Sequence, residues 1–321
     1  MNTPVQQYMV VTASYWAFTL TDGALRMLVI LYFHQLGYSP LEIASLFLLY
    51  EFCGVITNLL GGWMAAHLGL NSAMHLGLAL QILALSMLLV EPAWLSVIYV
   101  MIVQAMSGIA KDLNKMSAKS SIKLLVSGAA QGKLYQWVAL LTGSKNTLKG
   151  VGFFLGAALL SAFGFRGAIA GMAGCLLLVL LLSYLLLQKD LGKATYKPKF
   201  KDIFSKSTAI NYLSAARFFL FGSRDIWFVI ALPVFLQEHL QWHYTEVGTL
   251  LAIWVMAYGG VQSIAPLITG IRRGKVPDGQ VAMLWALLLA SMPLAIASFL
   301  YQGWPAEAVL IIGLLSFGGV F

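Results

Sequence analysis

Helix-length runs of apolar residues recur along the whole chain and restrict it to one kind of solvent. They fall at Tyr8–Phe33, Leu41–Ala66, Ser72–Val90, Trp94–Ile122, Leu134–Phe163, Ala168–Leu187, Ala209–Leu236, Val247–Gly270, Val281–Leu300 and Ala308–Phe321. A helix needs about 20 apolar residues to cross the ~30 Å hydrocarbon core of a bilayer. Hydrophobic residues make up 60% of the sequence and charged residues 10%, against about a quarter charged in soluble domains. The chain therefore reads as an all-α, multi-pass integral membrane protein with about ten transmembrane helices, the last cut short.

Met1 to Val11 carry no Lys or Arg, and the long run that follows holds Asp22 and Arg26, so the start does not read as a cleaved signal peptide. Cys53 and Cys175 lie in separate apolar runs without CxxC spacing, which indicates neither a disulfide framework nor a metal site. Gly128 to Leu134 misses the Walker spacing and its Ser/Thr, and neither HExxH nor GxSxG occurs. No cofactor and no enzymatic activity are predicted.

The net charge of +8 is unevenly distributed. Lys119, Lys123 and Lys133 share one connection, Lys189, Lys193, Lys197, Lys199, Lys201 and Lys206 fill another, and Arg272, Arg273 and Lys275 follow the eighth run. The connections between hold Arg166 alone. Basic connections stay in the cytoplasm, so the N-terminus is expected there too. The partner this charge implies is the lipid bilayer; nothing in it points to nucleic acid.

The link 189–206, with its lysines and Pro198, separates a six-helix bundle (1–188) from the remainder (207–321). Across it, Tyr38-Ser39 and Gly54-Val55 recur as Tyr244-Thr245 and Gly260-Val261, all at an offset of 206. Two pseudo-repeated halves of six helices, with substrate at the midplane between them, are the plan of the major facilitator superfamily. On that plan residues 207–321 form a partial C-terminal bundle, helices 7 to 10, and a non-transporting fragment or membrane sensor is an alternative reading. A monomer is expected.

Marks of that superfamily are present but altered. Gly62 and Gly69 keep the glycines of the G-x-x-x-D-R-x-G loop, while Ala66 and Leu70 stand where its charged latch would be. Gln104-Ala105-Met106-Ser107-Gly108 resembles the R-x-x-q-G pattern without its Arg. Gly143, Gly152 and Gly156 keep the spacing of the antiporter glycines without the Pro-x-x-Gly-Gly ending; as packing residues, they would let helices approach closely.

The functional signal is a set of charges inside apolar runs: Arg26, Lys111, Lys115, Lys145, Lys149, Arg217 and Arg224 against Asp22, Glu51, Asp112 and Asp225. Intramembrane charge is costly and marks transport paths. Three cations are left over, a surplus that an anion can complete, and guanidinium forks suit phosphate-like oxyanions. Arg26 from the first helix and an arginine of the seventh would clamp that anion. Asp22 and Glu51 are candidates for proton coupling; the alternatives are an Asp22–Arg26 pair one turn apart and a helix-packing hydrogen bond at Glu51. Lys111, Lys115, Lys119 and Lys123 either line the cavity or form one face of a helix lying on anionic lipid.

Thr21-Asp22-Gly23-Ala24-Leu25-Arg26-Met27, leading into Leu31-Tyr32-Phe33-His34-Gln35-Leu36-Gly37-Tyr38-Ser39-Pro40, resembles the ArsJ family of organoarsenical efflux permeases. Ser107 to Lys119 and Thr142 to Gly150 agree with that family as well. The resemblance implies a secondary transporter of the bacterial inner membrane that exports a small anionic substrate, 1-arseno-3-phosphoglycerate. It also implies a functional partnership with a glyceraldehyde-3-phosphate dehydrogenase and resistance to arsenate. Another phosphorylated metabolite or organic anion is the alternative cargo.

Overall fold

The computed structural model describes residues 4–125, 131–187, 207–225, 232, 235–236, 239–242, 244–268 and 279–320. Among them all regular structure is helical. In chain order the helices are α1 (Pro4–Gln35), α2 (Pro40–Ser45), α3 (Leu48–Leu68), α4 (Leu70–Met87), α5 (Val97–Leu125), α6 (Gln131–Leu186), α7 (Thr208–Asp225), α8 (Tyr244–Ile268), α9 (Gly279–Tyr301) and α10 (Ala306–Val320). The apolar runs predicted these elements closely.

Local chemistry sets the joints. α1 runs for 32 residues and gives way at Gly37, whose φ of 84° favours glycine. Ser39 then caps α2 in a reciprocal box with Glu42, and Pro40 occupies the first turn. α2 and α3 together cover the second apolar run. Gly69, at φ 87°, ends α3 and lets α4 begin at once. α6 is 56 residues long, about 84 Å at 1.5 Å per residue. That length is more than one bilayer crossing, and Gly164, with φ 65° and ψ 178°, breaks it into two arms between the fifth and sixth predicted runs.

Six described segments are long and apolar enough to cross a membrane: Val5–Gln35, Leu41–Leu68, Leu70–Met87, Leu134–Leu186, Glu246–Ile268 and Gly279–Tyr301. α5 carries its charges in mid-helix, yet it packs along its length between α3 and α4 and touches α1. Its Asp112, Leu113, Asn114, Ser117, Ala118, Ser121 and Ile122 are buried. A helix lying on the lipid surface would not bury that face, so α5 is a helix of the bundle.

α6 is the helix that the bundle is built around, against α1 and α4 on one side and α8 on another. Gly23 and Gly152 make the α1 crossing: a Cβ on Gly23 would come 2.6 Å from the Lys149 carbonyl oxygen, and one on Gly152 2.6 Å from that of Leu20. Gly143 lies against Gly259 and Ser263 of α8, and Gly150 against Met256. The three spaced glycines are thus packing residues, two facing α1 and one facing α8. The repeat does not extend to contacts: Gly54 packs on Asp112, whereas Gly260 has open space beside it and Gly259 makes the close approach. The link 189–206 and Arg272, Arg273 and Lys275 lie outside the described residues.

Candidate functional site

Most of the charges singled out in the sequence converge from four helices. Lys111 is the central residue of α5, and Lys145 and Lys149 straddle the centre of the first arm of α6. Asp22 and Arg26 lie just past the middle of α1, and Glu51 near the middle of the α2–α3 span. Their depth in the helices is what the apolar flanks predicted.

On the α3–α5 side the charges form a continuous chain. Arg26 Nη2 donates to Glu51 Oε1 at 2.8 Å, and Lys111 Nζ meets Glu51 Oε2 at 3.2 Å. Lys111 also lies 3.7 Å from Asp112 Oδ2, and Lys115 Nζ lies 2.8 Å from Asp112 Oδ1. Asp112 is buried, its side chain 5% exposed, while that of Glu51 is 59% exposed. Gly54 makes this packing possible, since a Cβ there would come within 2.7 Å of Asp112 Oδ2.

The alternative Asp22–Arg26 pair gives way to longer-range partners. Asp22, buried on α1, accepts the Tyr50 hydroxyl at 2.7 Å, and Arg26 turns to Glu51. Tyr50, which the sequence reading passed over, is the hub. Its ring centroid lies 4.9 Å from the Arg26 guanidinium carbon and 4.1 Å from Lys111 Nζ, and Phe47 lies 5.1 Å from the same guanidinium. These are cation–π distances. The available signal was an aromatic residue beside an intramembrane carboxylate.

On the α5–α6 side the pattern differs. Lys145 and Lys149, one turn apart, have no carboxylate at ion-pair distance among the described residues, and neither has Lys119. Lys149 feels the charges of Arg26, Asp22, Lys111 and Glu51, and Lys145 those of Lys149, Lys119, Lys115 and Lys111. Trp16 Nε1 donates to Ser144 Oγ at 2.8 Å beside them, fixing α1 against α6. Asn146 Nδ2 donates to Gln262 Oε1 at 2.7 Å and ties the same stretch to α8.

Arg217 lies on α7 with its side chain exposed, and its charge acts on Lys119 rather than joining the Arg26–Glu51 chain. The backbone of α7 reaches Arg224 and Asp225, but the side chains of both lie outside the described residues. The structure therefore assembles Asp22, Arg26, Glu51, Lys111, Asp112, Lys115, Lys145 and Lys149 and adds Tyr50, with Lys119 of the same lysine series acting on Lys145. Chemically, the arrangement is a wall of cations with Glu51 inserted between Arg26 and Lys111 and Asp112 between Lys111 and Lys115.

A sequence model of the Major Facilitator Superfamily matches residues 11–321. No curated protein matches the chain. Among solved structures, the human organic anion transporter MFSD10 (TETRAN) superposes with a TM-score of 0.69 at 16% identity, covering 100% of this chain and 83% of that one. The proton:xylose symporter XylE bound to 6-bromo-6-deoxy-D-glucose gives 0.67 at 15%, covering 99% and 79%. A bacterial homologue of the human drug peptide transporters PepT1 and PepT2 gives 0.56 at 16%, covering 99% and 82%. Likeness at such identities is likeness of fold.

Proposed function

The chain belongs to the major facilitator superfamily, and from that premise we propose that it exports a small phosphorylated organic anion across a bacterial inner membrane by alternating access. The observation that carries the reading is the mid-helix surplus of cations, with Lys119, Lys145 and Lys149 lacking a carboxylate at ion-pair distance among the described residues. Fixed ammonium and guanidinium groups at membrane depth stabilise an anion that arrives without its water. The lysines continue from Lys111 through Lys115 to Lys119 on α5 and from Lys149 to Lys145 on α6. Both series lead toward the α5–α6 connection, the end of the bundle that its basic residues assign to the cytoplasm.

The cargo we propose is 1-arseno-3-phosphoglycerate, supplied by a glyceraldehyde-3-phosphate dehydrogenase, with proton coupling through Asp22 or Glu51. Support comes from the family resemblance of the Asp22–Arg26, Lys111–Lys119 and Lys145–Lys149 stretches and from the chemistry of the cluster, which suits oxyanions. Trivalent arsenic calls for neighbouring thiolates, and Cys53 and Cys175 are free and lie on different helices. Another phosphorylated metabolite would use the same cations. Expression with and without the dehydrogenase in an arsenate-sensitive strain tests the reading. Arsenate tolerance should rise, and cell-associated arsenic fall, only when both proteins are present; unchanged accumulation would remove the organoarsenical. Transport in vesicles inhibited by 3-phosphoglycerate and indifferent to uncharged drugs is expected for any anion cargo.

A further inference from the structure

We infer that Glu51 is a tethered counter-anion: its carboxylate occupies the Arg26–Lys111 anion site until a substrate oxyanion displaces it. The inference rests on the anion reading above. Glu51 presents its two oxygens to two cations on different helices, Arg26 at 2.8 Å and Lys111 at 3.2 Å. A bound phosphate or carboxylate would make the same two contacts.

Three features separate Glu51 from the structural carboxylates. Its side chain is 59% exposed, whereas that of Asp112 is 5%, so Glu51 can swing away without leaving a buried unpaired charge. The cations it would release are held independently, because the Tyr50 ring supports both Arg26 and Lys111. Lys111 also keeps Asp112 at 3.7 Å as a second partner. The site therefore stays assembled when Glu51 leaves.

The charged groups that face Glu51 are Arg26 from α1, Lys111 from α5 with Asp112 behind it, and Lys149 from α6. α4 contributes no charged residue, its one titratable side chain being His75, and Glu42 of α2 is engaged with Ser39. All nearby cations thus compete for one exposed carboxylate. Displacing it leaves Arg26 and Lys111 for substrate.

Equilibrium binding of radiolabelled 3-phosphoglycerate to the purified full chain and to Glu51→Gln, at about pH 7, tests this. Glu51→Gln should bind about tenfold more tightly than wild type. Equal or weaker binding by folded Glu51→Gln, with Arg26→Gln abolishing it, overturns the role of Glu51 and leaves the anion site standing. No binding by wild type or Glu51→Gln overturns the anion reading and the inference with it. If Glu51→Gln does not fold, Glu51→Asp substitutes, because the shorter carboxylate cannot span both cations and should bind with intermediate affinity; wild-type affinity there removes the inference.

Discussion

The two flanks of α5 carry the same kind of charge in opposite arrangements. Toward α3, Arg26, Lys111 and Lys115 are each joined to Glu51 or Asp112, and Tyr50 and Gly54 fill the space around them. Toward α6, Lys119, Lys145 and Lys149 have no such partner among the described residues. Paired charges hold helices together, and removing one partner strands the other. Cations without such partners hold no helices together, and under the anion reading proposed above they are the groups a cargo would contact.

Substitutions on the two flanks should therefore fail in different assays. The largest effect is expected from Asp112→Asn, which strands Lys115 and takes from Lys111 its second partner. Breaking a buried pair costs about 3 kcal/mol, the lower end applying because the Lys115 side chain is 33% exposed and partly screened. Thermal unfolding in detergent should show a clear loss. Tyr50→Phe comes next: it removes the 2.7 Å bond to buried Asp22 while keeping the ring, at a cost of about 2 kcal/mol. A melting curve matching wild type would mean that Asp22 finds another donor and that Tyr50 is not the hub.

Gly54→Ala should cost about 1.5 kcal/mol by forcing the Asp112 carboxylate aside. Gly62→Ala on the same helix, with open space beside it, should stay within about 0.5 kcal/mol. On the other flank, Lys149→Gln should leave the melting temperature unchanged or slightly raised, since it relieves repulsion with Lys145 one turn away. The same variant should weaken 3-phosphoglycerate binding by about tenfold, or 1.4 kcal/mol. Destabilisation by Lys149→Gln with unaltered binding would erase the distinction between the flanks.

Fold and site were legible to different depths. Hydropathy placed α1 to α6 and α8 to α10 because a bilayer tolerates so few alternatives, and even the division of α6 near Gly164 is visible as the gap between Phe163 and Ala168. The depth of the charges was legible for the same reason. Their partners were not. The four-residue spacing of Asp22 and Arg26 suggests an intrahelical pair, but α1 turns Arg26 toward a carboxylate 25 residues away. Tyr50 carries no charge and sits in an apolar run, so its position over two cations appears only once α1, α3 and α5 are packed. The internal repeat aligned Gly54 with Gly260, while the packing uses Gly259.

The seam between α6 and α8 has a mechanical consequence. Gly143 and Gly259 meet there backbone to backbone, and the Asn146–Gln262 and Thr147–Met256 hydrogen bonds flank the contact. Such a surface resembles a bearing pinned at two points: one helix can roll on the other only as far as those two bonds allow. In the alternating access proposed above, a bearing at that seam would be where the stroke turns. A bulky residue at position 143 would then act as a brake, holding the molecule at one end of its travel.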